Sequence, residues 1–211
     1  MSVSNVIRWA GLSAVLAGVL AVVNPIIHPP NDPSSVATSS WAIAHYLILG
    51  GSVLLLLGIS GIYARQVKES GWLGLVGFLM FYVGVALISG FALFEAVILP
   101  VLATEAPQSI GGFLPGENLV VSGPLIPLSV ILFGIGGLLF GIAVIRAGIF
   151  PRLAAILLII GIPATVLLSL VSEAAARLSG VLYGAGIAWL GYALWSERPE
   201  KAPEPAPAIQ S

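Results

Sequence analysis

The chain has 211 residues, 58% of them hydrophobic and only 8% charged, with a net charge of −1 and no cysteine. A soluble domain has roughly a quarter of its residues charged, so there is too little charge here to clothe a water-exposed surface. The balance also lacks the basic excess of a nucleic-acid partner, and the absence of cysteine excludes disulfides, thiolate metal sites and CxxC redox chemistry.

Long apolar runs predict an all-α polytopic membrane bundle of six helices over residues 1–196, because a spanning helix needs about 20 mostly apolar residues. The first helix covers about 6–27, with Arg8 near its start, and is read as retained and not as a cleaved signal, since no small-x-small site is evident near Asn24-Pro25. His28-Pro29-Pro30-Asn31-Asp32-Pro33 then breaks the helix, proline lacking a donor and restricting its predecessor. Helix two covers 41–63, and Ala64–Ser70 is expected to be a polar turn. The third run, about 72–101, is about 45 Å long at 1.5 Å per residue and exceeds a hydrocarbon core of about 30 Å. It must therefore tilt, kink near Gly90 or Pro100, or project. After a long loop, 104–123, come helices over 124–145 and 153–172, joined by the turn Arg146–Arg152. Glu173–Ser179 reads as a short connection before a last helix over 180–195. Residues 197–211, rich in Pro, Ala and Glu, are expected to be a disordered cytoplasmic tail.

Seven of the eight basic residues fall on alternate connections: Arg8, Arg65, Lys68, Arg146, Arg152, Arg198 and Lys201 on one set, Arg177 on the other. Lys and Arg mark the cytoplasmic side, so both termini are expected inside, in a multipass protein of the inner (plasma) membrane. Trp9, Tyr63, Trp72, Phe150, Tyr192 and Trp195 fall near the expected inner interface, and Trp41, Tyr46, Phe94 and Tyr183 near the outer one. Gly137-x-x-x-Gly141 and Gly180-x-x-x-Gly184 have the spacing that lets membrane helices approach closely. The segments ending at Arg65 and Arg146 show a faint internal similarity. Pro127 and Pro163 lie inside predicted helices, where their kinks either set curvature or open a cavity between the two helices.

Ionisable residues inside spans are rare and mark sites by default. His28, His45, Glu95, Glu173 and Arg177 are such residues here, and the topology brings all five to the outer end. They are the predicted ligand-binding residues. Glu173 and Arg177, four apart, share a helix face. Two imidazoles and a carboxylate, His28, His45 and Glu95, also suit a transition metal such as zinc or non-haem iron, although no HExxH, HxH or ExxH spacing is present. No cofactor is otherwise evident. A bis-histidine haem is disfavoured by the two prolines that follow His28. Walker, GxSxG and acidic-cluster motifs are absent.

The strings His28-Pro29-Pro30, Trp41 to His45, Tyr63-Ala64-Arg65-Gln66, Gly71-Trp72-Leu73-Gly74 and Phe94-Glu95-Ala96 resemble those of small bacterial multipass membrane proteins of unknown function. That resemblance covers about the first half of the chain and implies no activity. In helix count and size the chain is also similar to substrate-capture subunits of energy-coupling-factor vitamin transporters, with Ala10-x-x-x-Ala14 in place of their small-residue motif. The expected function is non-enzymatic: a small-molecule-binding or transport component, or an accessory subunit, with the lipid bilayer, a small ligand and a membrane-protein partner or second copy as its partners. The alternative is an outer-leaflet enzyme using the His/His/Glu set.

Overall fold

The computed structural model describes residues 3–108, 124–169 and 171–197. Among them every regular element is helical: α1 (Val3–Ile27), a single turn α2 (Pro33–Val36), α3 (Ser39–Leu93), a π turn (Phe94–Ile98), α4 (Leu99–Glu105), α5 (Leu125–Ala147), α6 (Arg152–Ser169) and α7 (Glu173–Ser196). Four helical stretches are long and apolar enough to cross a membrane: Ser4–Ile27, Ser39–Glu105, Leu125–Ala147 and Ala175–Ser196. α6, over Arg152–Leu168, is apolar but shorter. The expectations over 109–123 and 198–211 fall outside the described residues.

The 67-residue stretch Ser39–Glu105 is not one rod. Residues 45 and 95 of an unbroken helix would be about 75 Å apart at 1.5 Å per residue, yet His45 and Glu95 lie 3.4 Å apart. The rings of Tyr63 and Phe78 stack at 4.4 Å. The chain reverses at Gly71, whose φ of 55° and ψ of −152° belong to a region that only glycine enters without a Cβ clash. Two antiparallel arms result, residues 39–70 and 72–93. The expected polar turn over 64–70 is instead the last two turns of the first arm. Ile62, Gln66 and Ser70 are buried at helical spacing while Arg65, Lys68 and Glu69 are exposed, so this polar segment is an amphipathic helix end.

The long third run kinks as its length requires. In the π turn the Leu99 N–H reaches back five residues to Phe94 O. Glu95 O then has Pro100 as its next partner, and proline has no N–H. The orphaned carbonyl is taken by the indole of Trp41, whose Nε1–H donates to Glu95 O at 2.9 Å. The kink thus has a stated cause, and it binds the two arms together at the end remote from Gly71.

Glycines set the packing of the other helices. A Cβ on Gly18 would collide with the Gly184 carbonyl and Ala188, and one on Gly184 would meet Gly18 O at 2.9 Å. One turn pair along, Gly11 faces Gly191 and Trp195, and Gly191 faces Gly11 and Val15. α1 and α7 therefore run antiparallel, with their backbones in contact twice. The first arm packs on α1 through Gly58 and Gly61 against Ala14 and Ala10. The second arm packs antiparallel on α5, Gly77 against Phe140, Gly136 against Phe81 and Gly84 against Phe133. Gly161 lies on Tyr183 and Gly186 on Ala154, joining α6 to α7. Small residues permit such contacts, which give helix association its van der Waals gain in lipid. Gly137 and Gly141 serve packing within the chain, against Ile162 and Ile159. Gly180 does not: only Tyr183 at 3.5 Å and Pro25 at 4.0 Å lie near its missing Cβ.

The antiparallel order gathers the basic residues. Arg8 Nε donates to Trp195 O at 3.3 Å and Arg65 pairs with Glu197 at 2.7 Å. Arg146 and Arg152 flank Gly148, the other positive-φ glycine at 69°. Trp72, 80% exposed, and Trp9, 61% exposed, sit at this end as belt residues should. Trp41 does not behave as a belt residue, since it is fully buried. The last helix also begins earlier than expected, at Glu173, with the Ser172 hydroxyl accepting from Ala175 N at 3.4 Å. A serine N-cap followed by an alanine run is a strong helix start, and it makes Arg177 part of α7.

Candidate functional site

His28, His45, Glu95 and Arg177 meet at the end of the bundle opposite the basic residues. His45 lies one turn below Trp41 on the first arm. Its Nδ1 sits 2.8 Å from Trp41 O, and a carbonyl can only accept, so Nδ1 carries a proton. Nε2 then faces Glu95 Oε2 at 3.4 Å as a lone pair unless the ring is cationic. One proton between the two satisfies both, either on the carboxyl group or on the ring. With none, lone pairs oppose each other; with two, a donor lacks an acceptor. The His45 side chain is 3% exposed and that of Glu95 31%, so the carboxyl group links a buried imidazole to the surroundings.

His28 follows α1 directly. Its Nδ1 lies 2.7 Å from Pro29 O, which fixes the same tautomer as in His45. Its ring packs edge-on to His45 at 4.8 Å and to Trp41 at 5.8 Å. Burial holds the His28 imidazole below its ordinary pKa of 6.5; the Pro29 bond opposes this and the Arg177 charge adds to it. Arg177 donates from Nη1 to His28 O at 2.9 Å and from Nη2 to Pro29 O at 2.8 Å. A planar fork fits two adjacent carbonyls, and these are carbonyls that the end of α1 and the prolines leave without N–H partners. Arg177 therefore clamps the end of α1 to α7. The side chain of Glu173 lies outside the described residues. Nearby, the Asp32 carboxylate caps α2, accepting from Ser34 N at 2.9 Å and Ser35 N at 3.1 Å. The Ser34 hydroxyl bond holds the Asp32 carboxyl below its ordinary range.

Among the described residues no three His, Asp or Glu side chains are placed to hold one metal ion. The expected His28/His45/Glu95 trio is a cluster in which both Nδ1 atoms are spent on backbone and His45 Nε2 faces the carboxylate.

Below this cluster lies a cavity of about 400 Å³ bounded by α1, both arms, α5, α6 and α7, where the interior prolines suggest at most a gap between α5 and α6. Its wall is mostly apolar. Of the predicted site residues only Arg177 borders it; the polar groups on its wall are Asn24, Ser52, Thr165, Arg177 and Tyr183. Asn24 Nδ2 donates to Ala44 O at 2.9 Å, tying α1 to the first arm. The signal available was Asn24 itself, a lone amide within an apolar run and just before Pro25. Ser52 and Tyr183 carry no such mark, because hydroxyls are common in membrane helices.

Comparison with family models, with curated proteins and with solved structures gives no match.

Proposed function

We propose that this chain is a multipass protein of the inner membrane that crosses six times, with both termini cytoplasmic, and that it binds a small molecule in the central cavity as a transport or accessory component. The six crossings count the two arms separately and include α6. The orientation rests on Arg8, Arg65, Lys68, Arg146 and Arg152 at one end against Arg177 at the other. The observation that carries the function is the cavity: about 400 Å³, bordered by α1, both arms, α5, α6 and α7, with an apolar wall and few polar groups. That volume and lining are those of small-molecule sites. Arg177 belongs both to its wall and to the outer His28/His45/Glu95 cluster, so a ligand there touches the residue that holds α1 to α7.

Two measurements test this. Sidedness reporters fused after Lys68 and after Ile110 should report opposite compartments, the first inside; the same side for both would end the six-span reading. Mass spectrometry of protein released gently from its own membranes should show a non-covalent adduct that is lost when Gly180→Leu fills the cavity. Identical spectra for the two would remove the ligand reading.

A second reading, acid–base chemistry at the outer surface, is favoured by the single shared proton between His45 and Glu95. General acid–base groups need such a movable proton within hydrogen-bond reach of a substrate. Glu95→Gln would abolish that activity while leaving adduct formation in the cavity intact.

A further inference from the structure

The geometry points to an apolar molecule bearing one uncharged oxygen head group, such as a hydroxyl or carbonyl, as the occupant of the central cavity, held by Ser52 and Tyr183. This deepens the proposed function and rests on it.

Three observations converge. The first is the behaviour of the serines. Within these helices, Ser70 at the end of the first arm aside, hydroxyls bond a carbonyl one turn back: Ser13 on Trp9 O at 3.0 Å, Ser60 on Leu56 O at 2.7 Å, Ser89 on Val85 O at 2.9 Å and Thr165 on Gly161 O at 2.9 Å. Ser52, equally mid-helix and only 8% exposed, makes no such bond and has no hydrogen-bond partner among the described residues; it borders the cavity. The Tyr183 hydroxyl is likewise without a partner among the described residues and borders the same space. A polar group in a low-dielectric site without a partner costs about 1–3 kcal/mol, so two on one cavity wall mark a place where a partner is supplied from outside.

The second is their common level. Gly51, beside Ser52, faces Leu20 of α1, and Gly184, beside Tyr183, faces Gly18 and Ala21. Ser52 and Tyr183 therefore border the cavity from helices packed on the same stretch of α1, residues 18–21, which places them on facing walls for one head group.

The third is the glycines. Those that pack helices would collide if given a Cβ. Gly51 and Gly180 border the cavity and have room for one, with nearest neighbours at 3.4 and 3.5 Å. Helix packing does not require them; the open space does.

The charge of the head group follows from the wall. It carries no acid, which disfavours a cation. Its one charged residue, Arg177, has both Nη atoms on backbone carbonyls and serves as a clamp. The polar side chains of the wall with no partner among the described residues are the neutral hydroxyls of Ser52 and Tyr183, each able to donate and to accept.

The test compares three probes with one chain length: 1-decanol, decanoic acid and decylamine, titrated into the purified full chain in detergent at neutral pH, with the rise in unfolding midpoint as readout. Micelle effects are removed by subtracting the response of Gly180→Leu. The expected result is saturable stabilisation by the alcohol above that by acid or amine, with the half-saturating concentration raised about 2- to 10-fold by Ser52→Ala and by Tyr183→Phe, the worth of one net hydrogen bond. Stronger binding of the acid or amine, or indifference to both hydroxyl deletions, would overturn the head-group assignment and leave the cavity reading standing. No difference between wild type and Gly180→Leu for any probe would overturn both. If Gly180→Leu does not fold, Gly51→Val, whose added Cβ meets only Leu20, takes its place.

Discussion

Replacing His45 and Glu95 singly and together probes the histidine–carboxylate cluster quantitatively. Glu95→Leu leaves His45 Nε2 facing an apolar group on a ring that is 3% exposed. An unsatisfied buried group costs about 1–3 kcal/mol, and little water reaches this one. His45→Phe keeps the ring contact with Trp41 but loses the side-chain bond to that residue's carbonyl, 2.8 Å, which retains its helical N–H partner, and removes the partner of Glu95. With 31% of its side chain exposed, Glu95 can rehydrate, so the Phe variant should lose about 0.5–1.5 kcal/mol, the net worth of the lost bond to Trp41 O. In the double variant neither group is stranded by loss of the other. The separation of 3.4 Å is longer than a good hydrogen bond of about 2.7–3.2 Å, which places the coupling toward the low end of the usual range, about 0.5–1.5 kcal/mol. Equilibrium unfolding of the four proteins in mixed micelles measures it. Additivity within about 0.3–0.5 kcal/mol would refute the shared proton and show the two arms to be joined here by Trp41 alone.

Other outcomes follow from the same geometry. Gly18→Ala should cost about 1–3 kcal/mol by overpacking α1 on α7, while Gly50→Ala, with nothing within 4 Å of its missing Cβ, should gain about 0.5–1 kcal/mol; thermal midpoints of the two variants should move in opposite directions. Gln66 is fully buried with both amide atoms unpartnered in the described structure, as is the Ser70 hydroxyl, so Gln66→Met should stabilise; a loss of stability would mean that bound water satisfies the amide. Because the folded state holds His28 below its ordinary value of 6.5, the unfolded chain binds the proton first. That contribution is complete above 6.5 and is lost as the pH falls below it. Wild-type stability should therefore fall more steeply on acidification than that of His28→Gln, and parallel curves would contradict the assignment.

What was legible in the sequence is what hydrophobicity and charge determine. The apolar runs, the basic residues at one end, and the meeting of His28, His45, Glu95 and Arg177 at the other all follow from where water-loving groups are tolerated. Boundaries followed less well where polar residues occur inside helices. The Ala64–Ser70 segment reads as a turn by composition, but its buried Ile62, Gln66 and Ser70 recur every four residues, and the chain reverses only at Gly71. Trp41 reads as an interface anchor because tryptophan prefers that level; its burial depends on the π turn and Pro100 freeing Glu95 O, a tertiary event. The glycine motif at 180 and 184 combines two roles that spacing cannot separate, since Gly184 touches Gly18 and Gly180 opens on the cavity. The cavity itself was not legible. It arises where α1, both arms, α5, α6 and α7 fail to close over small side chains, and the interior prolines Pro127 and Pro163 point only to a gap between two of these helices.

The space between Ser52 and Tyr183 is proposed as a ligand site. A high-resolution structure of the protein extracted with its native lipids tests it most directly. Non-protein density of elongated shape is expected in the cavity, with one end within hydrogen-bond distance of the Ser52 and Tyr183 hydroxyls. A cavity closed by rearranged side chains, with both hydroxyls bonded to the protein's own carbonyls, would contradict it.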